Sequence, residues 1–283
     1  MVRFGAHAFV WVGAWTTESG NHAIAQAGEA GFDLIEIPLL RPAEFDAASH
    51  KAALKQAGID AICSLALPRE FHMPENPEGA RKFLYGAFDA MERLEVATTL
   101  GGCTAYSLGA LTGEAPRPDE LQTIIEVMRD VTAEAKRRGF SMLLEACNRY
   151  ETYLYNTLED TRAAILAIGA DNLKLHADTY HMNIEEEGFF TPILNAGDVL
   201  TYIHMSESHR GLVGTGTVNW EQVFAGLAAI KFSGTLTLES FAAINPDLRA
   251  ATCKWRPTKQ SSDELARGGL RLLKEGAARY GLM

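Results

Sequence analysis

Four stretches of the 283-residue chain run from apolar residues straight into a group that can hold a metal or a proton. LLEACNRYE delivers Glu145, LHADTYH delivers Asp178, YIHMSE delivers His204 and LTLES delivers Glu239. A carboxylate without a partner at the end of a buried run is costly, so its presence calls for an explanation. Taken singly, each has an ordinary one: Asp178 caps the next helix, His204 is a satisfied core histidine, and the glutamates pair with basic neighbours. The spacings of 33, 26 and 35 residues argue otherwise, because each matches one strand-plus-helix unit and so aims all four groups at a common point. Three carboxylates that close need a cation. With one imidazole nitrogen they make a hard, oxygen-rich donor set that suits Mn2+, with Mg2+ or Co2+ as alternatives, better than a thiolate-type zinc site.

Such convergence requires elements that repeat. Short β-branched or aromatic runs at 4–10, 32–37, 60–67, 103–108, 140–146, 173–178, 199–205 and 234–239 alternate with helical periodicity near 17–30, 45–57, 78–99, 118–138, 157–168, 185–196, 219–230 and 261–279. Gly31 and Gly139 stand where helices should end, and Ser19, Asp119 and Asp263 near helix starts. The run Glu185 to Glu187 reads as the acidic first turn of a helix. Eight strand-helix units predict a parallel sheet closed into a (β/α)8 TIM barrel, a single domain over 1–283, whose strand C-termini gather the site.

The formal net charge of -10 repels phosphate backbones and anionic membrane surfaces, so nucleic acid and membrane are poor partners. Four widely spaced cysteines (Cys63, Cys103, Cys147 and Cys253) fit neither a CxxC zinc site nor a disulfide scaffold and read as reduced thiols in a cytoplasmic protein. The apolar opening MVRFGAHAFVWVGAW reads as a first strand rather than a signal peptide, since His7 interrupts it and no small-x-small site follows. GLVGTG at 211–216 lacks the GK[ST] of a phosphate loop and shapes the turn after strand seven.

The stretches LEACNRYETYLYNT, HADTYHMNIEE, HMSESHRGLVGTG and LES, in that order, resemble the ketose 3-epimerase family (D-tagatose, D-allulose and L-ribulose 3-epimerases) within the xylose isomerase-like barrel superfamily. The resemblance is strongest from about Leu143 to Glu239. It implies one divalent metal held by Glu145, Asp178, His204 and Glu239, with the two glutamates also serving as the acid/base pair. It further implies substrate contacts from Glu151, His181 and Arg210, and a pocket for the far end of the sugar that includes His7 and Trp15. The implied reaction inverts carbon 3 of a free ketose, for which D-allulose/D-fructose, D-tagatose/D-sorbose and L-ribulose/L-xylulose are the candidate pairs. A metal polarises the carbonyl, one carboxylate removes the carbon-3 proton, and the other returns it to the opposite face of a planar cis-enediolate. A homodimer or homotetramer is the implied assembly.

Trp11 and Trp15 read equally well as pocket residues or as core or interface residues, Glu36 as a supporting or merely structural carboxylate, and Cys147 as a small buried thiol. The alternatives left open are a single-metal sugar or hydroxypyruvate isomerase, an inositol-ketone isomerase or dehydratase, and a sugar-binding barrel without turnover. Two-metal aldose isomerases and the trinuclear-zinc endonuclease branch fit poorly, for want of a second ligand cluster and of enough histidines.

Overall fold

Eight parallel strands pair in chain order and close, β8 returning to β1 through the register of Arg3 with Thr235. They are β1 (Arg3–His7), β2 (Leu34–Pro38), β3 (Asp60–Ala66), β4 (Thr99–Cys103), β5 (Ser141–Glu145), β6 (Leu173–Asp178), β7 (Leu200–Ser206) and β8 (Thr235–Glu239). The helices are α1 (Thr17–Ala30), α2 (Ala47–Ala57), α3 (Pro77–Leu94), α4 (Pro118–Arg137), α5 (Leu158–Ile168), α6 (Thr179–Glu185), α7 (Phe190–Ala196), α8 (Trp220–Ala229), α9 (Pro246–Thr252) and α10 (Ser262–Arg279). This is the expected TIM barrel, in a computed structural model that describes residues 1–242 and 244–283.

Local chemistry sets many of these boundaries. Thr16 and Ser19 form a reciprocal capping box that starts α1, and Gly31 ends the helix in the left-handed region at φ 88°. Ser261 and Glu264 start α10 in the same way. Buried aliphatic and aromatic side chains from both the strands and the helices fill the space between sheet and helix layer, as with Ile35, Leu84, Phe88 and Leu273.

Several expected elements differ in the structure. The run at 103–108 is not a strand: β4 lies at Thr99–Cys103, built from Gly101 and Gly102 rather than β-branched residues. Gly102 has φ 88°, and a Cβ there would stand 2.4 Å from the Leu65 carbonyl oxygen, so only glycine lets the chain leave the barrel at this point. The helix expected at 78–99 ends at Leu94, where Glu95 turns left-handed. The helix expected at 185–196 is two short ones, α6 and α7, and Glu185 closes α6 instead of opening a helix. Its carboxylate is spent on Arg149 at 2.9 Å, while Glu186 accepts a hydrogen bond from the Leu158 amide, so the acidic run ties down the β5–α5 loop. The apolar run at 4–10 is a strand only to His7, followed by a 3-10 turn over Ala8–Val10. Helix α9 had no counterpart in the periodicity.

Candidate functional site

Strand alternation decides which side chains enter the barrel. On β7 the two-residue period points Tyr202, His204 and Ser206 inward; pairing then sets Asp178 beside His204 and Glu239 beside Ser206. The four residues expected to ligate a metal therefore arrive together. His204 Nδ1 lies 3.8 Å from Glu145 Oε1, 3.8 Å from Asp178 Oδ2 and 3.6 Å from Glu239 Oε1. All four are buried, and Nδ1 has no hydrogen-bond partner among the described residues. A buried nitrogen without a partner among the described residues, aimed among three carboxylates, is what a divalent-ion site requires of its histidine, so the donor set fits a divalent metal.

The ring of His204 is fixed from behind. Its Nε2 donates to Glu36 Oε2 at 2.7 Å, the same oxygen accepts from the Tyr202 hydroxyl at 2.6 Å, and Tyr202 accepts from Thr237 Oγ1 at 2.7 Å. With Nε2 given to Glu36, Nδ1 is the nitrogen of His204 that faces the carboxylates. Asp178 divides its carboxylate between two tasks. Oδ1 accepts from the Tyr180 amide at 2.6 Å and caps α6, while Oδ2 faces the site. The capping explanation and the ligand explanation of Asp178 are both true.

Arg210 is buried, not the surface arginine that its loop position alone would suggest. Its Nη1 donates to Asp178 Oδ2 at 2.8 Å, to Ser206 Oγ at 3.1 Å and to Glu239 Oε2, and its guanidinium lies over the Tyr180 ring, 3.9 Å from the centroid. The backbone at Arg210 is left-handed, φ 57°. A loop built around Glu207 sustains this: the buried carboxylate accepts from the amides of Ser208, Gly214 and Val218 and from the Trp220 indole. His181 Nε2 lies 3.8 Å from both Glu145 and Asp178. Burial works against charge on this ring, whereas Cys147, Glu151 and Asp178 favour it and raise its pKa to about 9. The Asn148 amide, which can only donate, reaches Nδ1 at 3.1 Å, so a proton there would break that contact; the geometry selects the neutral ring with its proton on Nε2. Glu151 accepts from Asn148 Nδ2 at 3.0 Å.

Environment separates the three carboxylates. Burial raises Glu145 well above the carboxylate range, helped by Cys147, Asp178 and Glu239. Burial likewise lifts Glu239 to about 7, although Arg210 and His204 oppose it. Asp178 goes the other way: burial would raise it, but the Arg210 guanidinium beside it holds it well below its ordinary value. Two carboxyls are thus poised to carry protons beside one that stays ionised.

These groups open onto a cavity of about 690 Å3. His7, Trp15, Glu145, Glu151, His181, His204, Arg210 and Glu239 all line it, together with apolar Phe9, Phe45, Leu65, Leu108 and Leu248. Trp15 donates from its indole to His50 at 3.2 Å, whereas Trp11 is core, packed edge-on against Phe32.

A family model described as the xylose isomerase-like TIM barrel matches residues 24–275. The chain is 36% identical over 280 residues to an L-ribulose 3-epimerase of Methylomonas sp. (strain DH-1), covering 97% of each, and 34% identical over 270 residues to a ketose 3-epimerase of Arthrobacter globiformis, covering 93% of each. It belongs to the ketose 3-epimerase family of xylose isomerase-like barrels. Among solved structures, the D-allulose 3-epimerase from Methylomonas sp. in complex with D-allulose superposes with a TM-score of 0.92 at 35% identity, over 97% of this chain and 96% of that one.

Sequence reasoning missed part of this family member's site. His176 points inward from β6, fully buried, its ring 4.2 Å from that of His204 and its Nδ1 3.7 Å from Glu145 Oε2. With Glu36, Tyr202 and Thr237 it forms a polar layer beneath the four candidate ligands. The signal was available in the two-residue period of LKLHAD and TYIHMS, once the inward face is fixed by Asp178 and His204. Cys103 was missed as a cavity residue because β4 was placed too late.

Proposed function

We propose that this isomerase is a metal-dependent ketose 3-epimerase acting on free ketoses, with Glu145 and Glu239 as the proton-carrying pair. The observation that carries the reading is the convergence of Glu145, Glu239 and Asp178 on His204 Nδ1, which has no hydrogen-bond partner among the described residues. Glu145, Asp178, His204 and Glu239 would hold one divalent ion, Mn2+ being favoured by the carboxylate-rich donor set, with Mg2+ or Co2+ as alternatives. Such an ion supplies Lewis-acid polarisation of the ketose carbonyl.

The chain's own groups do the rest. Glu145 and Glu239 come from strands three steps apart on the barrel, which suits a sugar held between them. One removes the carbon-3 proton and the other delivers a proton to the opposite face, the roles exchanging with the direction of reaction. Arg210 and the Nε2–H of His181 donate to the carbonyl oxygen as its charge grows, and Glu151 orients a hydroxyl. His7 and Trp15 form part of the far-end pocket, where an aromatic face packs against the C–H side of the sugar. The acidic net charge supports a free ketose over a phosphorylated one. The reading includes a cytoplasmic enzyme, in keeping with its buried thiols, and a homodimer or homotetramer.

Product analysis after incubation of the Mn2+-loaded protein with D-fructose, D-tagatose and L-ribulose tests the proposal. It predicts the carbon-3 epimer of at least one of them and little turnover of a 6-phosphoketose; an aldose product in place of an epimer would refute it.

A further inference from the structure

Beside the carboxylate and histidine donors, the cavity wall carries a second donor set of different character. Cys103, at the end of β4, and Cys147, two residues beyond β5, bring their sulphurs to 3.5 Å, and Cys103 Sγ lies 3.9 Å from Glu145 Oε2. One ligand atom from each of Cys103, Cys147 and Glu145 falls within 4.8 Å of the others. Both thiols are buried, yet both line the cavity, so an ion entering it reaches them.

The spacing fits chelation. Two sulphurs each about 2.3 Å from a common tetrahedral ion stand roughly 3.8 Å apart, so the observed pair needs to open by only a few tenths of an ångström. A disulfide needs the sulphurs at about 2.05 Å, a far larger displacement between two barrel strands. Sulphur ligands select ions that the oxygen-rich set does not favour.

We propose that Cys103, Cys147 and Glu145 form a binding site for a thiophilic divalent cation of the Zn2+ or Cd2+ class, distinct from the Glu145, Asp178, His204 and Glu239 set but sharing Glu145 with it. Each thiol gives its proton to solvent as its sulphur–metal bond forms, and the remaining coordination position opens to the cavity. The shared carboxylate makes the two sites antagonistic: an ion held by the sulphurs withdraws Glu145 from the other set. This antagonism rests on the reading under Proposed function, whereas the sulphur site does not.

The probe is CdCl2 added to metal-free protein in a Cys253→Ser background, which removes the exposed thiol. Ultraviolet absorbance follows the sulphur-to-cadmium charge-transfer band while calorimetry counts bound ions. The expected result is a band that saturates with the first tightly bound equivalent. Cys103→Ser and Cys147→Ser should each lose at least half its amplitude and weaken Cd2+ binding about tenfold or more, since losing a ligand costs at least as much as losing a supporting partner. Cadmium NMR of the protein with both thiols intact gives a second reading that needs no core substitution, with a shift in the thiolate range expected. Cd2+ that binds without a charge-transfer band and resonates in the oxygen and nitrogen range overturns the site. Excess Mn2+ added first should lower the apparent Cd2+ affinity; an unchanged affinity, with the band intact, overturns the sharing of Glu145 alone.

Discussion

Glu36 on β2 and His204 on β7 meet across the barrel through a 2.7 Å hydrogen bond between a buried carboxylate oxygen and Nε2. That contact decides which nitrogen of His204 faces the other candidate ligands. Glu36→Gln preserves the shape but offers the ring an amide in place of an anion, so the tautomer is no longer fixed and the ligand becomes less basic. The expected loss in Mn2+ affinity is about 10- to 100-fold, measured by calorimetry on the metal-free protein. An affinity within twofold of the parent protein would mean that Glu36 serves only the packing of the barrel.

The two glutamates should be separable from the remainder of the site by kinetics. Glu145→Gln and Glu239→Gln each remove a proton carrier together with a candidate ligand, so kcat should fall by about a thousandfold or more even at saturating metal. Steady-state assays on the preferred ketose check this. Near-normal turnover in either variant would remove that residue from the proton-carrying pair.

His181 and Arg210 line the same cavity without belonging to the proposed ligand set. His181→Ala and Arg210→Ala should lower kcat by about 100- to 1,000-fold while the purified protein still binds one equivalent of Mn2+. Arg210→Ala should also destabilise the metal-free protein by about 3–5 kcal/mol, because it strips the buried carboxylate of Asp178 of its cationic partner. Metal content from elemental analysis, set against thermal melts with and without Mn2+, distinguishes the two effects. Loss of metal from either variant would reassign it from substrate to ligand.

Metal binding and protonation compete at Glu239. Burial raises its pKa to about 7, above the ordinary carboxylate value, so the metal-free folded chain holds a proton there that a divalent ion must displace. The sign follows directly: metal affinity rises with pH through about 7 as Glu239 gives up its proton. The same raised pKa means that the stability Glu239 lends to the metal-free chain is present at low pH and fades as pH rises through about 7, and metal restores it. Calorimetry in buffers of different ionisation enthalpy should detect proton release on metal binding near pH 6, and the share due to Glu239 should be absent from the Glu239→Gln variant. Affinity independent of pH over that span would place Glu239 outside the ligand set.

The sequence disclosed the ends of strands five to eight because each couples an apolar run to a group too expensive to bury without purpose. Glu145, Asp178, His204 and Glu239 could therefore be named from their spacing, and the structure gathers all four. Glu36, His176 and Tyr202 were harder. They lie inside strands, where a polar residue on one face means nothing until barrel closure makes that face the interior. Strand β4 escaped because Gly101 and Gly102 carry no β propensity; their value lies in the close approach of Gly102 to Leu65. Helix α6 escaped, although Asp178 reads as the cap of a following helix, because seven residues give little periodicity to detect.

The most direct test of the central claim is proton NMR in D2O of the Mn2+-loaded protein with a free ketose, beside a control treated with EDTA. Deuterium should appear at carbon 3 together with the epimer, be abolished by the chelator and return with Mn2+. Deuterium at carbon 1 with aldose formation, or exchange at carbon 3 that survives complete metal removal, would contradict that claim.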